Sequence, residues 1–234
     1  MNIVWALVWF SVISFGLGII IAFAGKKFAV KADEIAGETM GELADNFVRY
    51  RAQVMCSGTS DKARPKYEYT GIADCIFANS LAGGAKACSN ACVGFGTCVK
   101  SCKFGAIIII DGVAVVDCDK CTGCGLCVLS CPKKIIKLIP FDSAHWVGCA
   151  SQDKAAVTKK NCDAGCIACK LCEKVCDSGA IKANDAAASI DYANCTACGK
   201  CSEVCPRNII RSKKMHSDPE IDNAGNDVSD APQI

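Results

Sequence analysis

The sequence predicts an α+β chain in which one N-terminal transmembrane helix is followed by two tandem cysteine-rich units. Three observations predict it. Residues 3–24 carry no charge and are nearly all apolar. Of the 234 residues, 21 are cysteine. A stretch of the chain also repeats itself, eight cysteines falling on eight cysteines, at an offset of 74 residues. The net charge of +2 leaves no footprint for non-specific nucleic-acid binding. A hydrophobic content of 51 % with only 6 prolines argues against a disordered chain. Yet there are only 3 Trp, 4 Tyr and 9 Phe, and five of these aromatics precede Lys26. Beyond that point large apolar side chains are too few for a generous core, so something else must hold the structure together. The cysteines are the only residues numerous enough.

Residues 1–25 form the expected anchor. About 20 helical residues cross a bilayer core. A cleaved signal peptide is the rival reading, and Ala22-Phe23-Ala24 resembles a cleavage site. No positive segment precedes the run, however, and the run is long for a signal. Lys26, Lys27 and Lys31 follow at once and nothing basic comes before. The positive-inside rule then places a single-pass protein in the inner (cytoplasmic) membrane with its C-terminal domains in the cytoplasm. Ser14, Gly18 and Ala22 share one helix face on which another membrane helix can pack closely.

Residues 26–87 read as a helical linker region. Ile35, Leu43, Phe47, Tyr50 and Val54 recur at helical spacing, which predicts a helix over 32–55 that Asp33 can cap. Residues 57–69 are polar, include Pro65 and read as a loop, and 72–87 as a short helix.

The chemistry lies in the cysteines. Cys121, Cys124, Cys127 and Cys131, followed by Pro132, have the spacing C-x2-C-x2-C-x3-C-P, and so do Cys195, Cys198, Cys201 and Cys205 with Pro206. Cys166, Cys169, Cys172 and Cys176 share the spacing without the proline. This run ligates [4Fe-4S] clusters: three close thiolates cap one cluster and the fourth ligates its neighbour. Disulfides would close small strained rings at this spacing, and a reducing cytoplasm disfavours them. Residues 88–136 fall on 162–210 without a gap, and the repeat includes Gly105-Ala106-Ile107 on Gly179-Ala180-Ile181 and Pro132 on Pro206. Each copy holds two cluster motifs, so the chain reads as two ferredoxin-like 2[4Fe-4S] units, 88–140 and 162–211, joined by a linker at 141–161. Residues 106–110 with 113–116, and 180–182 with 188–191, read as hairpins. Residues 125–131 and 199–205 read as short helices. Residues 212–234, polar and acidic, read as a disordered tail.

One mismatch is informative: Phe95 stands where the second copy has Cys169. Cys88 is the expected substitute, folded back by a longer loop; without it, a three-iron cluster is the alternative. The expected ligand sets are Cys88, Cys92, Cys98 and Cys131; Cys102, Cys121, Cys124 and Cys127; Cys166, Cys169, Cys172 and Cys205; and Cys176, Cys195, Cys198 and Cys201. That implies four [4Fe-4S] clusters. Cys56, Cys75, Cys118, Cys149 and Cys162 are left as small buried hydrophobes, Cys162 the least settled because it occupies the position of Cys88. No dinucleotide fingerprint or P-loop occurs, and His145 and His216 stand alone. The chain is expected to conduct electrons, with no NAD or flavin site of its own.

Several segments outside the cysteine runs carry a resemblance. Lys26-Lys27-Phe28-Ala29-Val30 follows the membrane helix, and Tyr67-Glu68-Tyr69-x-Gly71-Ile72-x-Asp74-Cys75 follows later. Gly94-Phe95-Gly96-x-Cys98 and Gly165-Cys166-Ile167-x-Cys169-x-x-Cys172-Glu173-Lys174 complete the set. Together they resemble the B subunit of the Rnf complex over about residues 3–211. The resemblance implies an electron-transfer subunit of a membrane-bound ferredoxin:NAD⁺ oxidoreductase that couples electron flow to Na⁺ or H⁺ transport. It implies soluble ferredoxin as donor and other Rnf-type membrane subunits as partners. Family members usually carry a further cysteine-rich cluster domain behind the anchor, and residues 32–55 contain no cysteine in its place. Two other readings stay open: a ferredoxin-like subunit of a hydrogenase or formate-linked membrane enzyme, and a zinc-stabilised scaffold.

Overall fold

The computed structural model describes residues 48–213 apart from residue 185. The expected transmembrane helix, most of the expected 32–55 helix and the tail beyond residue 213 lie outside the described residues. Among the described residues no helix is long and apolar enough to cross a membrane.

The first element corrects the sequence reading. Tyr50–Val54, expected as the end of a helix, is a strand, β1. Val48, Tyr50, Ala52 and Val54 also alternate, and this period-2 signal sits inside the broader helical pattern. A partner decides between them. β1 pairs antiparallel with a strand far along the chain, Tyr50 facing Pro140 and Val54 facing Ile136. Helix propensity is a weak prior against such a ladder. Residues 57–69 form no regular element, as expected. Cys75–Ser80 then forms α1, shorter than the expected 72–87 helix. Asp74 caps it, accepting from the Ile76 and Phe77 amides at 2.8 and 3.4 Å. Ala82, Gly83 and Gly84 all have positive φ and end the helical path.

The first cysteine unit follows as α2 (Thr97–Ser101), β2 (Ile107–Ile110), β3 (Val113–Val116) and α3 (Leu126–Ser130). β4 (Ile136–Pro140) closes onto β1. β2 and β3 form the expected hairpin. The second unit repeats this plan. β5 (His145–Val147) and α4 (Ala155–Asn161) come first, in the segment expected as a plain linker. α5 (Leu171–Lys174), β6 (Ile181–Lys182), β7 (Ser189–Ile190), α6 (Lys200–Glu203) and β8 (Ile210–Ser212) follow. β8 pairs with β5 and β6 with β7. Each unit is therefore a lobe with two two-stranded sheets and three short helices, and each recruits its first strand from upstream of its cysteine motifs.

Each lobe buries a small core in which thiols stand among aliphatic side chains. In the first, Ala52, Val54, Ile107, Val116 and Ile136 pack with Cys92, Cys98 and Cys127. In the second, Val147, Ile181, Ile209 and Ile210 pack with Cys172. β1 is buried on both faces because its other side meets the second lobe. Trp146 of β5 packs with Met55 and Ile139. Arg51, fully buried, lies over the Trp146 ring at 5.1 Å. It donates to the Phe141 and Ser143 carbonyls, the Gln53 side chain and Cys118 Sγ. Those four acceptors satisfy the buried guanidinium without a carboxylate. The lobes are also joined by the Arg64 amide donating to the Asn161 carbonyl at 2.9 Å and the Asp163 amide donating to the Lys62 carbonyl at 2.8 Å.

Candidate metal centres

The fold gathers sixteen thiols into four sets. In the first lobe, Cys92, Cys98 and Cys131 line an apolar cavity with Val54, Ile109, Ala114 and Ile136. The fourth thiol in that cavity is Cys75, and Cys88 is absent from its wall. Cys75, expected as a small buried hydrophobe, occupies the place in this cavity that was expected for Cys88. A short hydrogen-bond chain explains the placement. Thr97 Oγ1 donates to Asp74 Oδ2 at 3.0 Å and accepts from the Cys75 amide at 3.0 Å. This ties the start of α1 to the start of α2 and sets Cys75 beside Cys98. Phe95, at the position of the missing cysteine, meets the Tyr69 ring at 5.3 Å between centroids. Cys88 is buried elsewhere, its thiol pushed up by desolvation, with Cys56 and Asp153 nearby.

The other three expected sets come together. Cys102, Cys121, Cys124 and Cys127 line a second cavity with Ala52, Ala106 and Leu126. Cys166, Cys169, Cys172 and Cys205 line a third with Ala183, Ala188 and Ile209. In the fourth, burial raises the Cys201 thiol, and Cys195, Cys198 and Cys176 around it raise it further. The swap of the fourth cysteine between neighbouring motifs is thus present in both lobes.

The donor set fits a polynuclear iron–sulfur group. Desolvation, reinforced by neighbouring thiols, pushes Cys98 up to about 12 and Cys127 and Cys172 to about 11. Four thiolates in an apolar pocket need several positive charges among them, which iron bound there would supply. Among the described residues no group of three or more His, Cys, Asp or Glu side chains converges to hold a single metal ion. Amides aim at the sulfurs as well: Ala52 N donates to Cys121 Sγ at 3.3 Å, Ala106 N to Cys102 Sγ at 3.4 Å and Ala188 N to Cys166 Sγ at 3.4 Å. Such bonds favour the thiolate and tune the potential of a bound cluster.

The lobes differ at one telling position. Phe104 lines the cavity of Cys102, and the repeat places Ser178 at its equivalent. Ser178 Oγ lies 3.6 Å from Cys176 Sγ, and this hydroxyl is the main reason the Cys176 thiol is held below its ordinary value.

Comparison with known proteins agrees with this geometry. Residues 165–209 match a 4Fe-4S dicluster domain, and residues 114–137 and 92–106 each match a 4Fe-4S binding domain. The chain is 42 % identical over 164 residues to the B subunit of the proton-translocating ferredoxin:NAD(+) oxidoreductase complex of Clostridium ljungdahlii, covering 70 % of this chain and 57 % of that protein. It is 42 % identical over 156 residues to the B subunit of the Na(+)-translocating ferredoxin:NAD(+) oxidoreductase complex of Acetobacterium woodii, covering 66 % and 47 %. With the B subunit of the ion-translocating oxidoreductase complex of Methanosarcina acetivorans it shares 40 % over 139 residues, covering 59 % and 53 %. The chain therefore spans about half the length of the curated relatives it matches. Over that shared part it is homologous to the B subunits of ion-translocating ferredoxin:NAD(+) oxidoreductase complexes, and its own residues match ferredoxin-like 4Fe-4S domains.

Proposed function

We propose that this chain is the iron–sulfur electron-relay subunit of a membrane-bound ferredoxin:NAD⁺ oxidoreductase coupled to Na⁺ or H⁺ translocation. The observation that carries the proposal is the gathering of sixteen thiols into four sets, fifteen of them from the repeat, on a chain homologous to the B subunits of such complexes. Four [4Fe-4S] clusters are held by Cys75, Cys92, Cys98 and Cys131; by Cys102, Cys121, Cys124 and Cys127; by Cys166, Cys169, Cys172 and Cys205; and by Cys176, Cys195, Cys198 and Cys201. Clusters bound there supply one-electron oxidation and reduction. The chain's own part is to hold the thiolates, exclude water with Val54, Ile136, Ile209 and Ile210, and direct amides at sulfur. Soluble ferredoxin is the electron donor and the other membrane subunits are the partners. Residues 1–25 anchor the chain in the inner membrane, with the two lobes on the cytoplasmic side. The lobes are bounded by their strand pairs, at residues 50–140 and 145–212.

Iron and acid-labile sulfide per chain, on protein purified without oxygen, test this reading. About 16 iron atoms are expected from four cubane clusters, with EPR signals appearing when reduced ferredoxin is added. Stoichiometric zinc with little iron overturns it.

The Phe104/Ser178 difference predicts unequal potentials. Hydrogen bonds to cluster sulfurs and solvent access both set the potential, and a donor stabilises the more negative reduced state. The centre at Cys176 is expected to lie above its counterpart at Cys102. Ser178→Ala should lower it by up to about 60 mV, a tenfold change in a one-electron equilibrium, with iron content unchanged. EPR-monitored redox titration of the two proteins checks this.

A further inference from the structure

Five cysteines belong to none of the four sets, and four of them form two repeat-related pairs. Cys88 and Cys162 differ by the repeat offset of 74. Cys56 and Cys149 are equivalent through the strands: Val54 faces Ile136 and Val147 faces Ile210, so each cysteine lies two residues beyond an equivalent valine. All four meet where the lobes join. Cys56 and Cys149 are direct partners in an antiparallel bridge. A Cβ placed on Gly58 would lie 3.2 Å from Cys162 Sγ and 3.7 Å from Cys56 Sγ. Cys56 also acts electrostatically on Cys88, Cys149 and Cys162.

The contacts of the central pair point outward, toward the two cavities. The Cys92 amide donates to Cys56 Sγ at 3.4 Å. The Cys166 amide donates to Cys149 Sγ at 3.3 Å. Cys92 and Cys166 are equivalent residues of the repeat, and each lines its lobe's own cavity. A continuous path therefore runs from the backbone of one cavity residue, through a hydrogen bond to sulfur, across a backbone bridge, and through a second sulfur to the matching residue of the other lobe. Polarisable sulfur with an amide hydrogen bond on each side is a better electronic coupler than the alanine or valine that would fill the same space.

We infer that Cys56 and Cys149 are the electronic junction between the lobes, joining the centre at Cys75, Cys92, Cys98 and Cys131 to the centre at Cys166, Cys169, Cys172 and Cys205. The inference rests on the relay proposed above. One electron crosses: one centre is oxidised as the other is reduced, and no covalent bond forms or breaks. Cys56 and Cys149 are positioning residues for that transfer and bind no iron.

The test uses the full chain, loaded with clusters without oxygen, in three forms: wild type, Cys56→Ala with Cys149→Ala, and Cys56→Ser with Cys149→Ser. Iron per chain is measured first. The protein is then reduced by a light pulse with less than one electron per chain, frozen at intervals and followed by EPR. The expected result is equal iron in all three, redistribution between lobes slowed several-fold in the alanine pair, and near-normal redistribution in the serine pair, whose hydroxyls accept the same amide hydrogen bonds. If the alanine pair loses iron through misfolding, the single Cys149→Ala chain is read in its place. Unchanged redistribution in a fully loaded alanine variant overturns the junction and leaves the relay standing. Wild-type iron above the complement of four clusters that falls in the alanine pair also overturns it, because the sulfurs then ligate metal themselves. A wild-type chain that binds no iron overturns the relay, and the junction with it.

Discussion

Cys75→Ala is expected to strip the first lobe of one complete centre, taking iron from about 16 to between about 12 and 15 per chain, the lower figure for a lost four-iron cluster and the upper for a three-iron remnant. Cys88→Ala is expected to leave the count unchanged. The contrast follows from the cavity. Cys75 shares it with Cys92, Cys98 and Cys131, and its nearness helps raise the Cys98 thiol, after desolvation and Cys92. The Cys88 thiol has Cys56, Asp153 and Ser151 for company. A third variant separates ligation from folding. Thr97→Val removes the hydroxyl that bonds both Asp74 and the Cys75 amide but keeps every thiol. It should weaken retention of that centre under a chelator while leaving the initial iron count near wild type. Iron loss in Cys88→Ala with none in Cys75→Ala would return the ligand role to Cys88.

This contrast also marks the limit of what the residues revealed before folding. Cluster ligation within a C-x2-C-x2-C run is a local property: the loop brings its thiols together whatever the rest of the chain does. Twelve of the sixteen thiols lie in such runs, and the repeat carried Cys92, Cys98 and Cys102 with them. Cys75 belongs to no run. Its arrival depends on a capped single-turn helix and on one threonine of another helix, and no spacing rule encodes that. The Asp74-Cys75 pair, with the polar segment before it, was the available signal, because an N-cap immediately before a cysteine fixes where a helix presents that side chain. Strands divide the same way. Ile107–Ile110 and Val113–Val116 were legible because they are adjacent and turn at Asp111-Gly112. β1 and β5 were not, since each is short and its partner lies most of a lobe away. Trp146 was equally silent: a lone tryptophan in a segment that looked like a linker is the buried contact of β5 with Met55 and Ile139.

Gly123→Ala is expected to be the most damaging single-methyl change in the first lobe, and the second lobe supplies the control that says why. Gly123 has φ +73, and a Cβ there would stand 2.2 Å from the Tyr50 carbonyl oxygen and 2.9 Å from its carbon. Both atoms are backbone, so no side chain can swing aside. The left-handed conformation alone costs a non-glycine residue about 1–2 kcal/mol. The repeat places Ala197 at the equivalent position of the second lobe, and Ala197 adopts φ +57. That lobe therefore tolerates the conformation with a Cβ present. The difference lies in the strand: β1 runs its backbone against the Cys121–Cys124 loop, where the Ala52 amide also reaches Cys121 Sγ at 3.3 Å. Relieving the overlap means moving β1 off the loop, which breaks that hydrogen bond and loosens the pairing with β4. A loss of about 3 kcal/mol or more is expected, in the range of overpacking added to backbone strain. Denaturant unfolding of the loaded protein should show it, together with faster loss of iron from the centre at Cys102, Cys121, Cys124 and Cys127. Ala197→Gly should change stability by no more than about 1 kcal/mol, because it relieves strain and gains chain entropy in the unfolded state at once. Equal effects at the two positions would mean that the conformation, and not the approach of β1, sets the cost.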